Sequence, residues 1–173
     1  KEYLTAKLNG ERSKALICSR DGVCESETVD PIEYDLYLMM RGRDRLPAIE
    51  QHWQRTGGYL CCIRDLLDEK GIRFLVTLHP YGIHVGPDQW NEGRVYWGFE
   101  SNVVYDDDYA FDFIETFARE EGIDCVNTLA AFRAANDRQL FFDLDGHLTP
   151  EGNRVFVDAL VENDTFMQHL KAL

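Results

Sequence analysis

Lys70-Gly71-Ile72-Arg73-Phe74-Leu75-Val76-Thr77-Leu78 decides the fold class. A cation in a last helical turn, then a glycine able to turn left-handed, stops any helix that runs into Lys70. The seven residues that follow are nearly all apolar or β-branched, which predicts a strand over 72–78 buried on both faces. Upstream, Thr56, Leu60, Ile63 and Leu67 recur at helical spacing with Leu66 beside them, so Ala48 to Lys70 is expected to be helical. Gly57-Gly58 weakens that helix near its start. Tyr109 to Glu121 repeats the scheme. Phe113, Ile114 and Phe117 mark an apolar face, Gly122 ends the helix, and Ile123 to Val126 is a short strand. Helix, glycine and apolar strand, twice over, is the rhythm of a parallel α/β sheet.

A final helix is expected from Pro150, with Thr149 as N-cap and Val155, Phe156, Ala159 and Leu160 as its apolar stripe. The first 45 residues carry weaker patterns. Tyr3 to Cys18 reads as a helix broken at Asn9-Gly10, and Tyr34 to Leu38 fits strand or helix. No repeat or low-complexity tract is present.

The chain has 173 residues, the size of one domain, and the whole of 1–173 is expected to be a single α/β unit. A 45% hydrophobic and 28% charged composition excludes disordered and fibrous classes. No apolar run reaches the length of a membrane span. The net charge of -13 repels phosphate backbones and argues against nucleic acid as a partner. The basic run Arg41-Gly42-Arg43-Asp44-Arg45 is interrupted by an acid and fits a solvated loop. Five cysteines, an odd number, suit no closed disulfide framework, and none has zinc-site spacing. Cys61-Cys62 reads as small core filler.

The chemistry concentrates in Phe141-Phe142-Asp143-Leu144-Asp145-Gly146-His147-Leu148-Thr149-Pro150-Glu151-Gly152-Asn153. A carboxylate two residues before a histidine, in a glycine-containing loop ahead of a proline-started helix, suits hydrolytic chemistry. A neutral imidazole takes a proton from a nucleophile. A fixed carboxylate sets its tautomer and stabilises the imidazolium. Gly146 lets the loop turn so that both side chains converge, at about 2.6–3.2 Å.

This block resembles the last conserved block of the SGNH (GDSL-like) hydrolases. In that family an Asp and a His before the final helix complete a triad with an upstream serine. Asp145 matches an Asp-x-His variant of the usual spacing, with Asp143 as a fallback. The strand ending at His79-Pro80, its following loop with Tyr81, His84 and Gln89-Trp90, and Leu129-Ala130-Ala131-Phe132 are similar as well. The resemblance implies a three-layer α/β/α sandwich of flavodoxin-like character and no cofactor. It implies hydrolysis or transfer of a small or carbohydrate ester, with His147 as base, Asp145 as its orienter, and His79, Tyr81, His84 and Trp90 against the substrate.

The family's Gly-Asp-Ser block is absent. Ser13, Ser19, Ser26 and Ser101 do not follow Gly-Asp, and the Gly-x-Asn-Asp block of the oxyanion hole is missing. Two expectations follow: the chain is the C-terminal part of a longer enzyme, whose N-terminal half supplies the serine, or a binding domain of the same fold without a nucleophile. The block also resembles the first motif of haloacid-dehalogenase-type phosphatases, with Asp143 as nucleophile, Asp145 as acid and Mg²⁺ bridging. That motif belongs at the end of a first strand, and only 26 residues follow His147.

The remaining candidates have plainer readings. His79 and His84 lie five apart across a Pro-Gly loop, and a metal would need a third ligand, so none is expected. Asp106-Asp107-Asp108 lacks the glycine and distal glutamate of a calcium loop and suits a helix N-terminus. Trp53, Trp90 and Trp97 can stack on a sugar ring or pack internally.

Overall fold

The structure, a computed structural model, describes residues 13–18, 24–29, 48–97 and 99–171, with backbone alone for 13–18, 24–29 and 48–52. Two strands near the start, β1 (Ser13–Cys18) and β2 (Cys24–Val29), pair antiparallel from Ser13 opposite Val29 to Cys18 opposite Cys24. This overturns the helical expectation for Ser13 to Cys18. The reason is local: Asp21-Gly22 lies in the connection, the dipeptide that favours a hairpin turn. The rest of that expectation, Tyr3 to Arg12, lies outside the described residues, as do Tyr34 to Leu38 and Arg41 to Arg45.

The chain continues through α1 (Ala48–Asp68), β3 (Leu75–Leu78), the short α2 (Gly82–Val85) and α3 (Asn91–Tyr96). It then runs through α4 (Tyr109–Glu120), β4 (Asp124–Asn127), α5 (Leu129–Ala134), α6 (Pro150–Val161) and α7 (Asp164–Lys171). β3 and β4 are parallel, in register from Leu75 opposite Asp124 to Leu78 opposite Asn127. The architecture is thus mixed helix and strand with a parallel pair. Gly71 and Gly122, which follow α1 and α4, both have φ +67°, the left-handed turn that lets each helix give way to a strand. Thr128 extends the ladder, its amide and hydroxyl both donating to the Leu78 carbonyl at 3.0 and 2.7 Å.

β3 is shorter than expected. It covers four residues, all half-buried, while Ile72 is 50% exposed. With all four residues only half-buried, the expected burial on both faces is not met. Arg73 is drawn away to the Gln168 carbonyl at 3.1 Å.

The α1 stripe packs only in part: Thr56, Leu60 and Leu67 are half-buried. Ile63 and Leu66 are exposed, and Gly57 is buried. A Cβ on Gly57 would lie 2.7 Å from the Phe117 ring, so the glycine expected to weaken the helix is where α4 approaches it. Cys62 is exposed and Cys61 half-buried, so this pair does not fill the core.

The core lies around α2, α5 and α6. Ile83, Trp90, Phe132, Leu140, Phe141 and Val155 are among its buried members. Each such side chain contributes about 1.5–3 kcal/mol by leaving water. Thr149 caps α6 as expected: its hydroxyl oxygen accepts the Gly152 amide at 3.1 Å, ahead of Pro150 in the first turn.

Candidate functional site

Phe141 and Leu148 form an antiparallel bridge. The Phe142 amide donates to the His147 carbonyl, and the Thr149 amide to the Leu140 carbonyl, each at 2.9 Å. Residues 141–148 therefore close as a tight hairpin with Asp143 to His147 at its tip. Gly146 sits there at φ +72°. Asp145 Oδ1 accepts the His147 amide at 2.9 Å, a side-chain-closed turn, while Oδ2 lies 3.3 Å from His147 Nδ1. One carboxylate thus fixes both the backbone and the ring of the same histidine. The His147 amide first, then its ring, hold the Asp145 carboxyl below the usual carboxylate range. Both side chains are open to water, 83% exposed for His147 and 60% for Asp145, so their mutual attraction is screened.

The loop rests on the start of α3. The Gly93 amide donates to the Asp143 carbonyl at 2.6 Å, and Trp90 Nε1 to the Leu144 carbonyl at 3.4 Å. A Cβ on Gly146 would lie 2.9 Å from the Trp90 indole, so the tip is seated on that ring. Trp90 itself has φ 55°, a left-handed conformation rare for an aromatic residue.

Two buried polar side chains hold this support. Gln89 Nε2 donates to the Asn136 and Arg138 carbonyls at 3.1 and 2.6 Å, and its Oε1 accepts the Leu140 amide at 2.9 Å. Arg94 is fully buried and, among the described residues, forms no salt bridge. Its terminal nitrogens donate to the carbonyls of Gly82, Gly86, Gln89 and Val103, at 2.6 to 3.3 Å. Burial lowers its pKa from the ordinary value. Sequence reasoning misses Arg94, because an arginine on a short polar helix reads as solvated.

An open groove of about 480 Å³ runs along this loop. His79 and Tyr81 line it from the segment leaving β3. Asp145, His147, Leu148 and Asn153 line it from the hairpin and α6. The structure therefore brings four of the six candidate residues to one groove, beside the carboxyl end of β3 where open α/β sheets place their sites. His84 and Trp90 are elsewhere. His84 is 3% exposed with its ring edge-on to Phe111 at 5.5 Å, and Trp90 is 2% exposed under the hairpin. Their burial corrects the expectation that they face a substrate directly: both lie in the core rather than on the groove wall.

His79 Nδ1 lies 3.3 Å from the Pro80 carbonyl, and its ring meets Phe156 edge-on at 5.9 Å. Asn153 Nδ2 donates to the Leu148 and Thr149 carbonyls at 3.3 and 3.0 Å. Asp143 does not line the groove, and its carboxylate accepts from Gln139 at 3.2 Å. Ser101 is exposed in a turn away from it. Asp108, just ahead of α4, is held by Arg133 in a two-pronged pair at 2.7 and 2.8 Å. Among the described residues no group of three or more His, Cys, Asp or Glu is placed to hold a metal, and no helix is long and apolar enough to cross a membrane.

No protein-family model matches the chain, and neither does any curated protein. Among solved structures it is similar to the O-acetyltransferase domain of Pseudomonas putida AlgJ, with 21% identity and a TM-score of 0.49. The match covers 87% of this chain and 47% of that one, so this chain spans about half the length of the structure it matches.

Proposed function

We propose that the groove is the cleft of an SGNH-type ester hydrolase or acyl transferase, with His147 as general base and Asp145 as its orienter. The observation that carries this is the 3.3 Å approach of Asp145 Oδ2 to His147 Nδ1 in a groove shared with His79 and Tyr81. With Nδ1 turned to the carboxylate, Nε2 is the atom that takes a proton from a hydroxyl nucleophile. Asp145 then stabilises the imidazolium. His79 and Tyr81 contact a small or carbohydrate ester, while Trp90 supports the hairpin from below and His84 braces the neighbouring core. In this reading residues 1–173 are the later part of a flavodoxin-like, three-layer α/β/α domain. The serine and the oxyanion donors come from an earlier segment.

A second reading, a binding domain without turnover, has one observation in its favour. Among the described residues no serine, threonine or cysteine lines the groove.

Hydrolysis of an aryl acetate separates the two. The chain alone is expected to show no turnover above background. Joined to its upstream segment it should turn over, and His147→Ala should reduce the rate about 10²- to 10⁴-fold. An active joined protein indifferent to His147→Ala overturns the catalytic reading. A folded but inactive joined protein supports the binding domain. Mg²⁺-dependent hydrolysis of an aryl phosphate by the chain alone, lost in Asp143→Asn, supports a phosphatase instead.

A further inference from the structure

The hydrogen-bonding character of the groove names a substrate class. Carbonyl oxygens only accept, so each nitrogen facing one must donate, and this fixes what remains. His79 Nδ1 faces the Pro80 carbonyl and therefore carries the hydrogen, which leaves the Nε2 lone pair of the neutral ring as an acceptor. Asn153 commits its Nδ2 to the Leu148 and Thr149 carbonyls, which leaves Oδ1 as an acceptor. Asp145 accepts only, and His147, with Nδ1 turned to it, offers an Nε2 lone pair. Of the polar side chains along the groove, the Tyr81 hydroxyl alone is free to donate as well as accept among the described residues.

Charge points the same way. Among the described residues no lysine or arginine lines the groove, and Asp145 places a negative charge in it. Arg138, ahead of the hairpin, and Arg154, on α6 itself, are both drawn to Glu151, at 2.7 and 3.1 Å. The whole chain carries -13. An anion entering this groove meets acceptors and a carboxylate. A polyhydroxyl compound meets partners for its O–H groups.

We propose that the groove selects an uncharged, hydroxyl-rich alcohol component, such as a neutral sugar, and discriminates against carboxylated or phosphorylated ones. The proposal rests on the reading of the groove as the substrate cleft.

The test uses one skeleton in two charge states, the dimethyl ester of digalacturonic acid and the free digalacturonate. Binding to the whole chain is followed by amide shifts of His147 and Asn153 at about pH 8, where imidazoles are neutral. The ester is expected to shift both amides, with the free acid binding at least about five-fold more weakly at low salt. Raising NaCl to about 0.5 M should narrow that gap. His79→Lys, at an exposed position, should bring the acid to parity without lowering the melting temperature. The proposal is overturned if the acid binds as well as the ester, or if neither shifts these amides. No bond is broken in this assay, so its outcome is separate from that of the aryl acetate experiment. Loss of the base role of His147 leaves the charge preference standing, and an acid preference leaves the base role standing.

Discussion

Gln89 Oε1 accepts the amide of Leu140 at 2.9 Å, across 51 positions of chain. The same side chain donates to the carbonyls of Asn136 and Arg138, so one buried amide holds the segment that enters the Asp145–His147 hairpin. Gln89→Leu keeps the volume and removes all three bonds. The buried Leu140 amide is then unpaired, at a cost of about 1–3 kcal/mol. Denaturant unfolding should show that loss. Gln89→Glu, which keeps the acceptor for Leu140 but discards both donors, should also destabilise. A Gln89→Leu protein as stable as the parent would mean that the hairpin does not depend on this bond.

Gly146 and Gly122 separate two costs. Both have positive φ, so an alanine at either is strained by about 1–2 kcal/mol. At Gly122 a Cβ meets open space, whereas at Gly146 it lies 2.9 Å from the Trp90 ring. Gly146→Ala should therefore be the more destabilising, and should move the Asp145 and His147 resonances that Gly122→Ala leaves in place. Equal losses at the two positions would remove the seat on Trp90 from the account.

Asp145 sets a pH dependence of known sign. Its folded carboxyl is held below the ordinary value of 3.8 because the His147 amide and ring favour the charged form. The contribution is therefore present above that value and lost as pH falls through the lower folded one. A carboxyl-detected NMR titration should give a midpoint below 3.8. A midpoint at or above it refutes the pairing. Asp145→Asn retains an acceptor for the His147 amide but no charge. It should keep the hairpin while slowing the joined protein about 10²- to 10⁴-fold.

Arg94 is expected to resist replacement by lysine. Four carbonyls from three stretches of chain converge on its planar group. A lysine has three donors on one atom and cannot span them. Arg94→Lys should cost about 2 kcal/mol or more, and Arg94→Ala, which adds a cavity, about 3 kcal/mol or more. Thermal unfolding of the two variants checks both the size and the order.

Thiol reactivity should follow burial. Burial, with Glu115 adding to it, pushes the Cys125 thiol up to about 11, so at pH 8 only about one in a thousand is thiolate. Cys62 is exposed. Peptide mapping after brief alkylation should find Cys62 modified well before Cys125. The reverse order would mean that β4 opens readily.

Local signals are legible in the residues themselves. A glycine after a helix, then an apolar run, locates β3 and β4 because a left-handed stop and an apolar strand are each written in adjacent positions. Thr149-Pro150 announces α6 for the same reason. The approach of Asp145 to His147 is readable because a two-residue spacing around glycine brings them together, although at 3.3 Å the side chains stand slightly farther apart than expected. What stays hidden depends on partners far along the chain. Gly57 reads as a defect until Phe117 occupies the space it leaves. Trp90 and His84 read as loop residues until α3 and α4 fold over them. Arg94 reads as surface until four carbonyls surround it. The β1–β2 hairpin is a different case: its Asp-Gly signal is local, but a weak helical pattern over the same stretch competes with it.

The bonds that hold the hairpin from beneath span long stretches of chain. Gln89 meets Leu140 across 51 residues and Trp90 meets Leu144 across 54. Contacts this distant require loop closure before they return any stability. The docking of the hairpin on its support is therefore expected late in folding. The elements beneath it must dock first, and a modest loosening of the α3 support dissolves the site before it unfolds the helices. Amide exchange should show this as hairpin protection that fails together with that of residues 89–94, ahead of α4 and β4.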